Sequence, residues 1–213
     1  MTEHEHDLEH DHEHNGHDHE GHEHEHEGHQ HQFDWATELA MLRESARHFY
    51  AHQFDWRGHG RPEGFDGPKF YAADEAWRKE AHLDATVPGS GDPVQLATST
   101  GQVRDMTIAG DLVFDHDGAE QRLQAFRTHS HEGYESLFVP FRDATSGSET
   151  YGAGRYLDIP REEEDDQIDL DFNFAYNPSC VFSPAYDCPF PPPRNKLAIA
   201  VRAGERMPFD KSS

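Results

Sequence analysis

At 213 residues with 34% hydrophobic residues, the chain is long enough for one folded domain with extensions. Its formal net charge of -24 argues against nucleic acid and against anionic membranes as partners, because both need a basic surface. We find neither a signal-peptide pattern nor an apolar run of membrane-spanning length, so we expect a cytoplasmic protein that is not membrane-bound. The oligomeric state stays open.

Residues 1–32 form a low-complexity tail with 12 of the 19 histidines, 11 acidic residues and no Lys or Arg. This segment has too few apolar side chains to offset the entropy of ordering, so we expect it to be disordered. Imidazole and carboxylate groups bind divalent transition metals, which predicts a tail that buffers or stores zinc, nickel or copper. A purely solvating acidic tail is the alternative. The candidate metal ligands are His4, His6, His10, His12, His14, His17, His19, His22, His24, His26, His29 and His31.

Residues 33–54 contain the strongest helical pattern, with Asp34 able to cap its start. The predicted buried stripe consists of Trp35, Leu39, Leu42, Ala46 and Phe49. His48 and His52 are spaced i, i+4, and they form either half of a metal site or two ordinary surface histidines.

Residues 70–83 fit either a helix, by propensity, or a strand from about Trp77, by alternation. From residue 92 onward the pattern is that of β-strands, separated by turn residues. The predicted strands span residues 93–99, 103–108, 111–114, 121–128, 134–141, 155–159, 168–175 and 196–203. Asp115 to Gly118 is typical of a hairpin turn. The next loop holds His129 and His131, which are either metal ligands or solvated side chains.

A compact polar set lies between residues 145 and 180, beside a Gly-rich loop that spans 143–154. Carboxylate, guanidinium, amide and phenol groups in one place can bind a small polar ligand or carry out acid–base chemistry. They can equally satisfy buried backbone groups. Arg155 in particular can bind an anion, or pair internally with Glu149 or Asp171. The ligand-binding candidates are Glu149, Arg155, Asp171, Asn173, Tyr176 and Asn177.

The loop matches neither a P-loop nor a dinucleotide fingerprint, so its glycines form either an anion-binding turn or a tight hairpin. Cys180 and Cys188 leave three alternatives open: a disulfide, half of a zinc site, or two free thiols. The cytoplasmic expectation favours free thiols.

The same region resembles the uncharacterised bacterial and archaeal family DUF1684. The matching stretches are residues 141–156, 171–180, 188–195 and 203–205, in a match that is strong over 134–205, weaker back to residue 36 and absent from the first 32 residues. The resemblance implies a shared fold and brings no activity with it.

We therefore predict an α+β protein, mainly antiparallel β in a barrel or sandwich, with one or two N-terminal helices and a disordered N-terminal tail. Residues 33–208 would form one domain, helical over 33–54 and mainly β over 75–205. Three functions remain open: metal binding by the tail, an enzyme or small-polar-ligand binder that uses residues 145–180, and an interaction domain with no pocket. Only four of the 18 basic residues are Lys, which is typical of an acid-rich surface adapted to salt.

Overall fold

The structure is a computed structural model that describes residues 34–129, 135–161 and 167–209. The tail histidines and the disorder predicted for residues 1–32 lie outside these residues, and so does His131. Within the described ranges, no helix combines the length and hydrophobicity that crossing a membrane requires.

One N-terminal helix, α1, spans Trp35–His52, close to the predicted bounds. Asp34 caps it as expected, because the Asp34 carboxylate accepts a hydrogen bond of 3.0 Å from the Thr37 amide. The second helix that the sequence allowed does not form as an α-helix. Between α1 and the first strand, the described residues form a single 3-10 turn, Glu75–Trp77.

The buried face of α1 differs from the predicted stripe. Leu39 and Tyr50 are buried as one face of the helix, but Leu42 is 45% exposed and Phe49 is 43% exposed. Their place is taken by Arg43, whose guanidinium lies 5.0 Å from the centroid of the Phe70 ring. A guanidinium can stack on an aromatic face, so an arginine lies where the sequence pattern predicted a leucine.

Within the described residues, seven strands form one antiparallel sheet in the order β6-β5-β4-β3-β1-β7, with β2 pairing β3. Their bounds are β1 Arg78–Asp84, β2 Pro93–Ala97, β3 Val103–His116, β4 Ala119–His129, β5 Glu135–Phe141, β6 Arg155–Pro160 and β7 Gln167–Asp171. Tyr156 on β6 and Tyr176 after β7 exchange two backbone hydrogen bonds of 2.9 and 3.0 Å. This bridge nearly closes the sheet into an antiparallel barrel, one of the two architectures, barrel or sandwich, that the sequence predicted.

The two strands predicted at 103–108 and 111–114 are one strand, β3, bent by a bulge at Gly110. Gly110 has φ 152, and a Cβ atom there would lie 2.6 Å from the Asp84 carbonyl oxygen. The bulge lets one half of β3 pair with β2 and the other half with β1. The hairpin predicted at Asp115 to Gly118 is confirmed, with His116 paired to Ala119.

The last predicted strand, 196–203, is wrong. Its N-terminal half forms an isolated bridge, Arg142 with Lys196, and backbone hydrogen bonds to residues 142 and 144. The carbonyls of Val201 and Ala203 accept from the Arg155 side chain instead of from a strand. Asn195 accepts a hydrogen bond from the Gln124 amide and donates to the carbonyls of Gln124 and Pro140, each at 2.8 Å. Its amide thus bridges β4 and β5 where their backbone ladder has ended. Alternation of Leu197, Ile199 and Val201 reflects burial against the barrel rather than strand pairing.

β7 also ends earlier than predicted, at Asp171, where a 3-10 turn over Phe172–Phe174 begins. The barrel interior is filled by inward side chains of every strand except β2, such as Leu112, Val139 and Leu157. A second apolar cluster lies on the outer face of the sheet, around Phe126 and Phe138, and the chain from residue 176 to 190 covers part of it.

Candidate functional site

Arg155 is almost fully buried, with 1% of its surface exposed, as are Asn173 and Asn177 among the six predicted ligand-binding residues. Its Nη2 donates to Asp143 Oδ2 at 2.7 Å and to the Val201 carbonyl at 2.8 Å. Its Nη1 donates to the carbonyls of Ala203 and Glu205. The internal ion pair expected for Arg155 is therefore present, but the acid is Asp143 rather than Glu149 or Asp171, because Asp143 follows β5 at the point where β6 begins beside it.

Asp171 and Asn173 are in direct contact and join the helix to the barrel. Trp35 Nε1 on α1 donates to Asp171 Oδ2 at 2.7 Å, and Asn173 Nδ2 donates to Asp171 Oδ1 at 2.7 Å. Asn173 also pairs with the backbone of Asp74, through both its oxygen and its nitrogen. In this arrangement, the two side chains satisfy each other's hydrogen-bonding groups and those of the nearby backbone.

Glu149 lies in the middle of the Gly-rich loop and forms a two-pronged ion pair with Arg202, at 2.9 Å from Nε and 2.8 Å from Nη2. This hydrogen bonding by Arg202 lowers the pKa of Glu149. The loop amides of Ser146, Gly147 and Ser148 donate to carbonyls inside the loop, which supports the tight-turn interpretation over anion binding.

Asn177 donates from Nδ2 to the Arg206 carbonyl at 2.8 Å, and its backbone amide donates to Glu205 Oε2 at 2.9 Å. Glu205 was not singled out from the sequence. It is 4% exposed, and burial raises its pKa to about 7. The amide of Asn177 opposes that shift, because it stabilises the carboxylate.

Tyr176 is the one candidate of the six that lines a pocket on the outer face of the barrel, which we call the outer pocket. Its volume is about 450 Å3. Its walls are outward side chains of the sheet on one side and the covering chain on the other. The lining residues are Arg104, Met106, Thr128, Phe138, Tyr156, Asp158, Tyr176, Pro178, Ser179, Tyr186, Asp187, Cys188 and Pro189.

Asp158 is the polar group of most chemical interest in the outer pocket. It lies on β6 between the inward residues Leu157 and Ile159, so the period of the strand points it outward. Tyr176 donates its hydroxyl to Asp158 Oδ2 at 2.5 Å. Asp158 is open to the pocket, yet the protein atoms around it raise the pKa of this carboxyl by desolvation, against the lowering effect of the Tyr176 hydroxyl.

Arg104 is the basic residue among the lining side chains, and it is already paired. Its Nη2 donates to the Asp187 carbonyl at 3.0 Å and lies 3.8 Å from the Asp187 carboxylate. Thr100 also donates a hydrogen bond to the Asp187 carboxylate. This bond lowers the pKa of Asp187 more than the charge of Arg104 does. The charges of Arg104 and Asp187 therefore offset each other, while Asp158 has no ion pair with any described residue.

Cys180 and Cys188 are free thiols, and Cys188 lines the outer pocket. The Cys180 amide points at Cys188 Sγ, 3.3 Å away, and the Tyr151 hydroxyl lies 3.9 Å from Cys180 Sγ. The hydrogen bond from Cys188 lowers the pKa of Cys180 to about 6 and raises that of Cys188. Across the described residues, no group of three or more His, Cys, Asp or Glu could hold a metal ion, so neither this pair nor His48 with His52 completes such a site there.

Sequence reasoning missed Asp158, Tyr156 and Phe138 as a set. The signal that could have found the first two was the alternation within β6, where Tyr156 and Asp158 are the outward residues. Phe138 stands opposite Asp158 in the β5–β6 register, a pairing that the sequence does not state.

Comparison with known proteins shows which family and which solved structure this chain is similar to. A family model described as "Protein of unknown function (DUF1684)" matches residues 63–206. The solution NMR structure of an uncharacterized protein from Haloarcula marismortui is 36% identical, covers 81% of this chain and 94% of that chain, and has a TM-score of 0.62. A comparison with curated proteins finds no match.

Proposed function

This chain belongs to the DUF1684 family, and because the outer pocket lies in the part of the chain that the family model covers, we propose that the barrel binds a small polar ligand there. The observation that carries this proposal is a concave space of about 450 Å3 that combines aromatic walls with an unpaired carboxylate. Apolar walls with a few placed polar groups are the usual composition of a ligand site.

The enzymatic alternative uses the same residues. A carboxyl group whose pKa is raised by its surroundings can act as a proton donor or acceptor, and Asp158 is oriented by Tyr176 for such a role. We propose binding as the function, because the support consists of a pocket and a recognition group rather than of a second catalytic group placed beside a bound substrate.

A panel of small polar molecules tests the proposal by nuclear magnetic resonance of the full-length, 15N-labelled protein. Binding in the outer pocket predicts that amide signals of Thr128, Phe138 and Asp158 shift on addition of at least one molecule. Thr128→Trp fills the pocket and should abolish these shifts. Gln95→Trp is the matched control, since Gln95 is an exposed strand residue outside the pocket. A panel that leaves the pocket signals unmoved would contradict the proposal.

A second candidate function rests on the composition of residues 1–32. Twelve histidines interleaved with 11 carboxylates offer a metal ion many ligands, and we propose that this segment binds zinc, nickel or copper. Affinity should fall below neutral pH, because protons compete for the imidazole nitrogens, which titrate near pH ~6.5.

Replacing the twelve tail histidines by glutamine in the full-length protein tests this second proposal while the length and the carboxylates stay unchanged. We expect the variant to lose metal binding in equilibrium dialysis at neutral pH. The control is His48→Gln with His52→Gln, which removes the exposed pair on α1, whose rings are 4.7 Å apart. Unchanged metal stoichiometry in the twelve-fold variant would overturn the proposal.

The interaction-domain alternative stays a prediction. Its support is a small apolar area on α1, where Met41, Leu42 and Phe49 are exposed. Nothing in the described part of the chain indicates what would cover these side chains.

A further inference from the structure

The chemical class of the ligand follows from what the outer pocket leaves unpaired. Arg104 and Asp187 offset each other, so the net charge that the pocket presents comes from Asp158. Tyr176 occupies only Oδ2 of Asp158. A neutral or anionic ligand would take solvent away from this carboxylate without supplying a counter-charge, which is costly. A cationic ligand would supply one.

The walls around Asp158 point to the kind of cation. The rings of Phe138 and Tyr156 lie 4.8 Å apart at an interplanar angle of 72°, and those of Tyr156 and Tyr176 lie 5.7 Å apart at 87°. Because each ring is nearly perpendicular to the next, the three rings can present both ring faces and ring edges to the outer pocket. The faces of aromatic rings carry negative potential and attract cations, above all organic ammonium groups that are weakly hydrated.

A metal ion fits this space poorly by comparison. Transition metals and Mg²⁺ require several oxygen, nitrogen or sulfur ligands in a defined geometry. No group of three or more potential metal ligands surrounds Asp158 within the described chain. Rings and one carboxylate are instead the groups that bind a positively charged organic ligand through dispersion and charge.

We infer that the outer pocket binds a small organic ammonium ligand, with Asp158 as its counter-ion and Phe138, Tyr156 and Tyr176 as its aromatic walls. This inference rests on the outer pocket being a ligand site, and it specifies the ligand that the site takes. Tyr176 orients the Asp158 carboxylate through the hydroxyl hydrogen bond and leaves Oδ1 for the ligand.

Choline, its neutral carbon analogue dimethylbutanol, and acetate are the probes that test it. They share a small size and differ in charge. Each is titrated into the full-length, 15N-labelled protein at about 0.5 M KCl, where the Debye length is below about 8 Å and general attraction of cations to the acid-rich surface is largely screened. We expect choline to shift the amide signals of Phe138 and Asp158, and dimethylbutanol to bind about tenfold more weakly.

Asp158→Asn tests the counter-ion while keeping an oxygen that can accept the Tyr176 hydroxyl. We expect it to weaken choline binding about tenfold and to leave dimethylbutanol binding unchanged. Asp105→Asn is the matched control. It removes the same charge from β3 at an exposed residue that bonds Gln95 and does not line the pocket. This control should bind choline as the original protein does.

The outcomes distinguish the ammonium inference from the proposal that the outer pocket is a ligand site. Equal or tighter binding of dimethylbutanol or acetate at the pocket signals would overturn the ammonium inference and leave the ligand site standing. The same holds if choline binding survives Asp158→Asn. If none of the three probes and no molecule of the wider panel shifts a pocket signal, both the inference and the proposed ligand site are wrong.

Discussion

Glu205 illustrates how burial sets the chemistry of a single side chain. Glu205 is almost fully buried, and the largest influence on its pKa is desolvation, which raises this pKa to about 7. In an unfolded chain the same group titrates near ~4.3. Between these two values the folded state binds the proton more tightly than the unfolded state. Stability contributed by protonated Glu205 is therefore fully present at low pH and is lost as the pH rises through about 7.

Glu205→Gln should remove this dependence, because an amide cannot ionise and its oxygen can still accept the Asn177 amide. Relative to the original protein, we expect the variant to gain on the order of 3 kcal/mol in free energy of unfolding as the pH rises from about 5 to about 8. Urea unfolding at the two pH values measures the difference. An unchanged difference between variant and original protein would show that Glu205 ionises normally.

Cys180 is predicted to react as a thiolate at neutral pH, because the hydrogen bond from Cys188 lowers its pKa to about 6. Alkylation by iodoacetamide, followed by mass spectrometry of the peptides, should label Cys180 with a midpoint near pH 6 and leave Cys188 unlabelled. Cys188→Ala removes the donor and should move the midpoint upward. Labelling of both cysteines with a midpoint near pH ~8.5 would contradict this assignment.

Among the elements, the pairing of β4 with β5 depends on a side chain from outside the sheet. The ladder ends at Phe126 and Phe138, and two positions further on Gln124 and Pro140 are held by the Asn195 amide. Proline has no backbone donor, so a direct ladder could not continue there in full. Asn195 supplies both a donor and an acceptor in its place.

Asn195→Ala should destabilise the fold by about 3 kcal/mol, because it leaves three buried backbone groups without these partners. Denaturant unfolding measures the loss. Lys196→Ala is the neighbouring control, an exposed position where we expect a change within about 0.5 kcal/mol. A similar small effect at both positions would mean that the Asn195 hydrogen bonds contribute little.

The alternation of polar and apolar residues was enough to predict most strands and an antiparallel barrel or sandwich, because alternation reports which face of a strand is buried. It failed at 196–203, since Leu197 and Val201 alternate with the same period, while the Arg155 side chain bonds the carbonyls of this segment and the Asn195 side chain before it bonds β4 and β5. Their partners lie about fifty to seventy positions away in the chain, and no local pattern encodes them.

The candidate site was predicted less well than the fold, and for a related reason. Sequence neighbours such as Asp171 and Asn173 do come together, but they hold α1 and the 3-10 turn onto the barrel. The outer pocket draws on β3, β4, β5, β6 and the covering chain, so its set of residues exists only once the barrel has formed. Tyr176 was found because it also lies in the polar cluster.

For the whole molecule, charge is the dominant feature. Of the formal charge of -24, residues 1–32 carry -11, which leaves -13 on the other 181 residues. Like charges repel in the compact state, and salt shortens the range of this repulsion from about 10 Å at 0.1 M to about 3 Å at 1 M.

The urea midpoint should therefore rise when KCl is raised from about 0.1 to about 1 M. The variant Glu63→Gln with Glu80→Gln removes two exposed acids and should respond less to salt. Circular dichroism follows both transitions. A midpoint that falls with salt would mean that ion pairs such as Arg202 with Glu149 outweigh the net repulsion.

Intermolecular nuclear Overhauser effects between the tightest-binding molecule of the panel and the aromatic ring protons of the full-length protein locate the ligand by contact. We predict contacts with the rings of Phe138, Tyr156 and Tyr176, which line the outer pocket. Contacts confined to rings elsewhere, such as exposed Phe49 on α1, would contradict the assignment of the outer pocket as the ligand site.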